Sequence, residues 1–265
     1  MSYSTGDDVI ARMYDGDYDS YRVAGDVEFY VGEAKRRGVP VVEFACGTGR
    51  VLVPTLAASI DITGVDVSGD MVERCRQNIA AAGLMGTIHH GDMRTVELGR
   101  TFGLATLPFR PFQHMLSIED QLAALRNIRR HLMPGGTLIF DVFQPLFRRI
   151  ALDGAAEELD LERTDENGAV VRRFSKAVSH RWRQVIDVTL RWEIESADGT
   201  IERCSASFEM RWFVEPEIRH LLARSGFEVE TVYGSFDRAP TDNAPSDNPV
   251  GPDSKELVFV ATAVS

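Results

Sequence analysis

The sequence has few cysteines, no long apolar run and no basic leader. Its three cysteines, Cys46, Cys75 and Cys204, are an odd number without CxxC spacing, which excludes a disulfide framework and a structural zinc site. No apolar run approaches the ~20 residues that a membrane-spanning helix needs. The amino terminus lacks a basic segment followed by an apolar one, so no secretory signal is predicted. These absences predict a cytoplasmic protein that uses no metal and no membrane.

The sequence also lacks an excess of positive charge. Its 29 Lys and Arg residues against 40 Asp and Glu residues give a net charge of −11. Nucleic acids are bound largely by Lys and Arg that neutralise phosphates, so a nucleic-acid partner is not expected. The densest basic stretches, 126–131 and 172–176, are short and are separated by acidic sequence. A small-molecule substrate is the default expectation.

Apolar runs alternate with segments of helical periodicity through much of the chain. Strands are expected at 39–44, 61–67, 87–90, 101–107, 137–143, 227–233 and 255–263. Helices between them, such as 69–82 and 117–131, are preceded by serine N-caps or end at glycine. Strand and helix in alternation imply right-handed crossovers and parallel pairing. The prediction is an α/β, doubly wound, Rossmann-like fold with a seven-stranded, mostly parallel sheet.

A different pattern interrupts this alternation after residue 143. Segments 170–182, 185–196 and 200–213 are rich in β-branched and aromatic residues, and Asp198-Gly199 is a strong hairpin signal. They predict an antiparallel meander in a subdomain inserted at 146–213. The main domain then comprises 1–145 and 214–265, with 1–37 as an N-terminal helical cap. Residues 237–253, rich in Pro, Asp, Asn and Ser, are expected to form a long solvated loop.

Residues 41–50, with the sequence VVEFACGTGR, lead from the first strand into a helix. Gly47 and Gly49 allow positive φ and a close approach of a ligand to the backbone. The following helix N-terminus offers free N–H groups and partial positive charge. Because position 45 is Ala and no Gly-Lys-Ser/Thr follows, the loop is neither a GxGxxG fingerprint nor a triphosphate loop. It predicts a nucleotide-binding turn over residues 43–49.

Two carboxylates follow at the ends of the next strands. Asp66, after the second strand, is positioned to accept ribose hydroxyls, since ligands of open α/β sheets bind beyond the strand ends. Asp92, after the third strand, is positioned to accept from an adenine amine, with Met93 packed beside the ring. Either aspartate alone could be an ordinary turn residue. The interpretation therefore depends on the loop 43–49, Asp66 and Asp92 occurring together in this order.

The ordered motifs ExACGTGR, GVDVS, GDM and PF…QH resemble class I S-adenosylmethionine (SAM)-dependent methyltransferases. Within that family the chain looks most similar to small-molecule N-methyltransferases, including those acting on amino sugars. The resemblance implies SAM as cofactor. It implies contacts to the methionyl part from Glu43, Ala45, Cys46, Gly47 and Gly49, to ribose from Asp66, and to adenine from Val67, Met71, Asp92 and Met93. Leu107 is a further candidate for cofactor binding. Ala45 departs from the usual first glycine of the loop.

The N-terminal segment is expected to close over SAM by the same resemblance. Tyr14 matches the tyrosine of the family's Tyr-Asp start and is a candidate for cofactor binding and catalysis, and Arg22 for pairing with the SAM carboxylate. The alternative is an amphipathic helix that carries ordinary surface tyrosines.

The acceptor side is predicted from the residues after the fourth strand. His114 is the leading candidate for a general base or substrate-orienting group, and Arg110 for an anion contact; a structural role is the alternative for His114. The Asn/Asp-Pro-Pro-Tyr motif is absent, which counts against adenine-N6 and glutamine acceptors. The aromatic- and Arg-rich meander, with His180, Trp182, Trp192 and Trp212, fits either a substrate wall or a homodimer interface.

The sequence thus predicts a SAM-dependent methyltransferase that acts on a nitrogen or oxygen of a small molecule. The alternative is a catalytically inactive module that binds SAM or S-adenosylhomocysteine and acts through protein partners. An NAD-dependent oxidoreductase is disfavoured by Ala45 and by the missing third glycine.

Overall fold

The computed structural model describes residues 7–20, 25–151, 156–236, 250–251 and 254–264. The helices are α1 Asp7–Ser20, α2 Asp26–Arg37, α3 Leu52–Ala57, α4 Gly69–Ala81, α5 Ile118–His131, α6 Phe147–Ile150 and α7 Glu215–Arg224. The strands are β1 Val41–Phe44, β2 Ile62–Asp66, β3 Thr87–His90, β4 Phe102–Leu107, β5 Leu132–Phe143, β6 Glu158–Thr164, β7 Val170–His180, β8 Val185–Glu195, β9 Ile201–Arg211, β10 Phe227–Tyr233 and β11 Glu256–Ala263. Short 3₁₀ turns occupy Pro111–His114 and Arg181–Arg183.

The chain divides into two compact units. The larger unit comprises Ala24–Pro145 and Trp212–Ser265, and the smaller comprises Met1–Val23 and Leu146–Arg211. The sequence predicts residues 1–37 as a cap of the main domain, whereas contacts group helix α1 with the inserted sheet.

The larger unit contains a seven-stranded sheet in the order β10-β11-β5-β4-β1-β2-β3. Strands β1 to β5 pair in parallel, while β11 is antiparallel to both β5 and β10. The predicted doubly wound, mostly parallel α/β fold is therefore confirmed. Every residue of β1 and β2 is buried, as expected for strands covered on both faces. The strand order reverses between β1 and β4, which is where ligands of such sheets bind.

Local signals position the helices that follow these strands. The Ser68 side chain accepts from the Met71 N–H, and the Ser117 side chain from the Asp120 N–H, so both predicted serine caps are present. Strand β5 begins at Leu132, before the predicted start at 137; it pairs with β4 at Leu132 and is irregular up to Thr137. Its Gly135 has a φ of +74°, a conformation that favours glycine.

The smaller unit contains an antiparallel sheet in the order β6-β7-β8-β9. Three of these strands were predicted as a meander, and β6 is an additional strand. Helix α1 packs on this sheet, because Met13 clusters with the buried side chains of Val171, Trp192 and Ala206.

A buried carboxylate also ties α1 to this sheet. Asp17 is 3% exposed and accepts hydrogen bonds from Arg163, Arg173 and the Trp192 indole at 3.2, 3.1 and 2.9 Å. Burial of a charge requires such partners, and these three donors to Asp17 all lie on the inserted strands. This is the physical reason why the N-terminal helix belongs to the smaller unit.

Candidate active site

The loop after β1 adopts the conformation that its sequence predicts. Ala45, Gly47 and Gly49 have φ values of +54°, +55° and +89°. A side chain at position 49 would also collide with the Cys75 thiol, 2.8 Å from an added Cβ. Only glycine fits there, whereas Ala45 holds a left-handed conformation at some cost. The loop therefore keeps its backbone close to the strand ends, where a ligand can approach it.

Glu43 is the buried acidic group of this loop. It is 2% exposed, and its Oε2 has no hydrogen-bond partner within the described parts of the chain. Burial is the main reason why the pKa of Glu43 is raised well above its ordinary value. A buried carboxylate oxygen without a partner is costly unless a ligand supplies a donor. The site therefore fits a ligand with N–H or O–H groups at this point, as the amino acid part of SAM has.

Asp66 connects this loop to the end of β2. Its Oδ2 accepts from the Gly47 N–H at 2.7 Å and its Oδ1 from the Ser68 N–H at 2.9 Å. Burial raises the pKa of Asp66, although these backbone donors oppose the shift. Val67 and Met71 lie next to it and are half-buried, and the Val67 carbonyl contacts His90 Nε2 at 2.9 Å. The structure thus brings the predicted ribose residue beside the cofactor loop.

Asp92 and Met93 follow β3. Arg94 binds Asp92 at 2.5 Å and also pairs with Asp120. Burial opposes ionisation of Asp92, but the Arg94 contacts prevail and lower its pKa. Met93 is buried in the apolar core, and its carbonyl accepts from the Asn127 side chain at 3.0 Å. Sequence reasoning missed Arg94, which already engages the carboxylate predicted to meet adenine.

The chain after β4 bends sharply beyond the buried Leu107. Phe109 and Arg110 both have positive φ, +67° and +65°. The Phe109 N–H donates to Asp141 Oδ1 at 2.8 Å, and the Arg110 guanidinium pairs with Glu256. Arg110, predicted as an anion contact for substrate, therefore has a carboxylate partner from the start of β11.

His114 ends the 3₁₀ turn that follows and is half-buried. Its neighbour Gln113 is fully buried and accepts from the Phe143 N–H at 3.0 Å, which anchors the turn to the end of β5. The candidate base therefore lies on an anchored turn beyond the fourth strand.

Four further residues at this strand edge were not predicted from the sequence. Arg50 pairs with Asp26 at 2.6 Å, and Tyr30 donates to Asp141 at 2.6 Å. Burial is the main reason why the pKa of Asp141 is raised to about 6. An aspartate inside the apolar run 137–143 was the available signal, since a buried carboxylate needs a partner.

The residues predicted to cap the site include Tyr14 and Arg22. Tyr14 lies on α1 in the smaller unit, with its ring centroid 4.3 Å from that of Tyr18. Arg22 lies outside the described residues, as do 237–249 and 252–253 of the predicted loop.

The described residues contain neither a metal-binding cluster nor a membrane-spanning helix. No group of three or more His, Cys, Asp or Glu side chains there is arranged to hold a metal ion. None of the helices described has the length and apolar character required to cross a bilayer.

Comparisons with known proteins agree with this geometry. Residues 41–136 match the family described as a methyltransferase domain. The chain is 25% identical over 230 residues to a dTDP-3-amino-3,6-dideoxy-α-D-glucopyranose N,N-dimethyltransferase of Streptomyces fradiae, spanning 85% of this chain and 86% of that protein. It is 27% identical over 221 residues to a cypemycin N-terminal methyltransferase of a Streptomyces species, covering 82% and 84% of the two chains.

Solved structures share the fold. A SAM-bound amino pentose methyltransferase from Micromonospora echinaspora superposes with a TM-score of 0.70 at 24% identity, over 95% of this chain and 97% of that one. The matched segment, 41–136, contains the cofactor loop, Asp66, Asp92 and the turn after β4. The chain is a SAM-dependent methyltransferase with a Rossmann-like fold.

Proposed function

We propose that this enzyme methylates the amino nitrogen of a small acceptor of the nucleotide-linked amino-sugar class. The observation that carries the proposal is the similarity, over 85% of the chain, to a methyltransferase named for a dTDP-amino sugar. A second relative of similar coverage is named for a peptide N-terminus, which is also an amine. Nitrogen is therefore favoured over oxygen as the methyl acceptor.

The cofactor would be held by the loop after β1. The partnerless Glu43 Oε2 would accept from the ammonium group, and the backbone at Ala45, Cys46, Gly47 and Gly49 would lie beside the methionyl chain. Asp66 would bind ribose with the lone pairs that Gly47 and Ser68 leave free. The adenine contacts are assigned to Val67, Met71, Asp92 and Met93, and Leu107 is a further candidate for a cofactor contact. SAM supplies the activated methyl group, so the protein needs to position and desolvate the acceptor.

His114 is the proposed base or orienting group on the acceptor side. A neutral amine attacks the methyl carbon directly, and the proton it then releases needs an acceptor nearby. His114 lies beyond β4, next to the strand-order reversal. The roles of Tyr14 and Arg22, and a homodimer through the inserted sheet, stay predictions from the sequence.

A matched pair of acceptors tests the proposed chemistry. The enzyme is incubated with SAM and either dTDP-3-amino-3,6-dideoxyglucose or dTDP-6-deoxyglucose, which bears a hydroxyl at the same carbon. Mass spectrometry should find one and then two methyl groups on the amine and none on the alcohol. Methylation of the alcohol alone would contradict the proposal. SAM binding without methylation of any amine or phenol in a broader panel would support the inactive binding module.

The role of His114 is tested by His114→Ala. Loss of a general base lowers kcat by roughly 10²–10⁴-fold, and SAM affinity should stay unchanged. His220→Ala, on the exposed face of α7, is the matched control. A fall in SAM affinity without a fall in kcat would make His114 a structural residue.

The role of Asp66 is tested by calorimetry of SAM binding. Asp66→Ala should weaken binding by about 1–3 kcal/mol, the range for hydrogen bonds to a charged acceptor. Asp61→Ala is the control, since Asp61 precedes the same strand and pairs with Arg100 at the surface. Unchanged affinity in Asp66→Ala would remove the ribose assignment.

A further inference from the structure

We propose that Asp141, together with Tyr30, is a positioning residue for methyl transfer. The pair holds the turn at Phe109 and Arg110 in a conformation that shapes the acceptor side of the site. The inference rests on the methyltransferase activity and on the acceptor approaching beyond β4, as in the proposed function. It assigns a role to two buried residues, one on β5 and one on α2, that lie outside residues 43–49.

The turn lies at the crevice where a ligand is expected. Strands β1 and β4 are neighbours in the sheet, and the chain continues to opposite sides from them. Crevices beyond the strand ends at such a reversal bind ligands. Residues 45–49 follow β1 and Phe109 follows β4 by two residues, so the cofactor loop and this turn border one crevice.

The turn is strained on its own. Two consecutive residues with side chains, Phe109 and Arg110, have left-handed backbone conformations. Such conformations bring Cβ too close to the backbone, and Arg110 also precedes Pro111, which restricts it further. Strain of this kind persists only where surrounding contacts impose it.

A hydrogen bond to Asp141 imposes the left-handed conformation on the turn. One oxygen, Oδ1, accepts from the Phe109 N–H at 2.8 Å and from the Tyr30 hydroxyl at 2.6 Å. Asp141 and Tyr30 are each 1% exposed, so neither hydrogen bond competes with bulk water. The carboxylate thereby connects the turn to β5 and α2.

The consequence is a defined place for the Phe109 ring. The Arg50 and Arg110 guanidinium carbons lie 5.3 and 5.4 Å from the ring centroid, within cation–π range. Arg50 directly follows Gly49 and is held by Asp26 at 2.6 Å, while Arg110 is held by Glu256. Releasing the turn would move this ring away from the cofactor loop without altering the loop itself.

The test compares two substitutions at one position. Asp141→Ala removes the acceptor oxygen, and Asp141→Asn keeps it. We expect kcat/KM for dTDP-3-amino-3,6-dideoxyglucose to fall about 10- to 100-fold in Asp141→Ala, the cost of a small misplacement near reacting groups. Calorimetry should give an unchanged Kd for SAM, and Asp141→Asn should retain most of the activity. A loss of SAM affinity as large as the loss of kcat/KM for the acceptor would overturn the proposal.

Two further variants separate positioning from general stability. Tyr30→Phe removes only one donor to Asp141 and should raise KM for the acceptor with little change in SAM affinity. Glu33→Gln, on the same helix, alters a buried carboxylate paired with Arg36 and Arg37 and should lower Tm alone. Normal acceptor kinetics in both Asp141→Ala and Tyr30→Phe would overturn the proposal.

A crystal structure of Asp141→Ala with SAM gives a result that does not depend on the acceptor. We expect φ of Phe109 and Arg110 to return to negative values. An unchanged turn would overturn the positioning role, even if the amino sugar is a substrate. If the sugar is not a substrate but the turn relaxes, the acceptor assignment fails and the positioning role stands. Where Asp141→Ala does not fold, the structure of Tyr30→Phe replaces it, with a displaced Phe109 ring expected.

Discussion

Asp17 in the smaller unit and Glu43 in the larger unit are both buried carboxylates with different surroundings. Asp17 accepts from two arginines and one indole. Glu43 has an oxygen without a partner among the described residues, and its pKa is raised by burial. A satisfied buried charge stabilises a fold, whereas an unsatisfied one costs stability and serves a ligand. The comparison distinguishes a structural carboxylate from a functional one by its hydrogen bonds.

The largest expected effect is on the stability of the smaller unit. Asp17→Ala leaves the Arg163 and Arg173 guanidiniums without their buried partner, which costs about 3–5 kcal/mol. Hydrogen exchange of amides in β7 to β9 measures this loss. Glu162→Gln, at the exposed pair with Arg172, should cost less than about 1 kcal/mol. Equal losses of stability in the two variants would contradict the difference expected between a buried and an exposed carboxylate.

A pH effect is expected from Asp141 in the larger unit. Its pKa is raised from 3.8 to about 6 in the folded protein, so protonation favours folding. The free energy of unfolding should therefore gain about 2 kcal/mol from this group as pH falls from about 6 to about 4. Urea unfolding of the wild type and of Asp141→Asn at several pH values measures this contribution, which is the difference between their free energies of unfolding. A difference that is constant across this pH range would contradict the assignment.

Glu43→Gln should separate stability from binding. The neutral amide avoids the cost of a buried charge, so the free energy of unfolding should stay equal or rise. SAM affinity should fall by about 1.5–3 kcal/mol, because a charged acceptor is lost. Calorimetry and urea unfolding check the two halves of this expectation. A loss of stability without a loss of affinity would place Glu43 in the same class as Asp17.

The smallest effect is expected at the first position of the cofactor loop. Ala45→Gly removes a side chain from a left-handed residue and should stabilise the larger unit by about 1 kcal/mol. The same change at Ala81, an exposed position in α4, should destabilise it by about 1 kcal/mol. Thermal unfolding measures the change in Tm of each variant, and the two changes should have opposite signs. A decrease of Tm in both variants would show that Ala45 is not strained.

Much of the larger unit was predictable because its signals are local. The apolar runs and the glycines at 47 and 49 predict strands and a turn within a few residues. The sheet order then brings Glu43 and Asp66 together, since parallel strands end at one edge. The cofactor class followed from four ordered motifs, and the matched methyltransferase domain confirms it.

The contacts missed by sequence reasoning join residues far apart in the chain. Tyr30 and Asp141 are separated by 111 positions, and Asp17 and Trp192 by 175. Neither pair has a local spacing, so only the packing of helices against sheets reveals it. The same holds for Arg94, whose two carboxylate partners come from the β3 turn and from the start of α5.

The sequence by itself determined the alternation of strands and helices, the cofactor loop at 43–49 and the methyl donor. It did so because periodicity, glycine conformation and strand-end carboxylates act over short distances. Only the tertiary structure decided that α1 belongs with the inserted sheet and that Asp141 holds the turn after β4. Those outcomes depend on which buried charge finds a donor, and donors from distant segments meet a carboxylate only after folding.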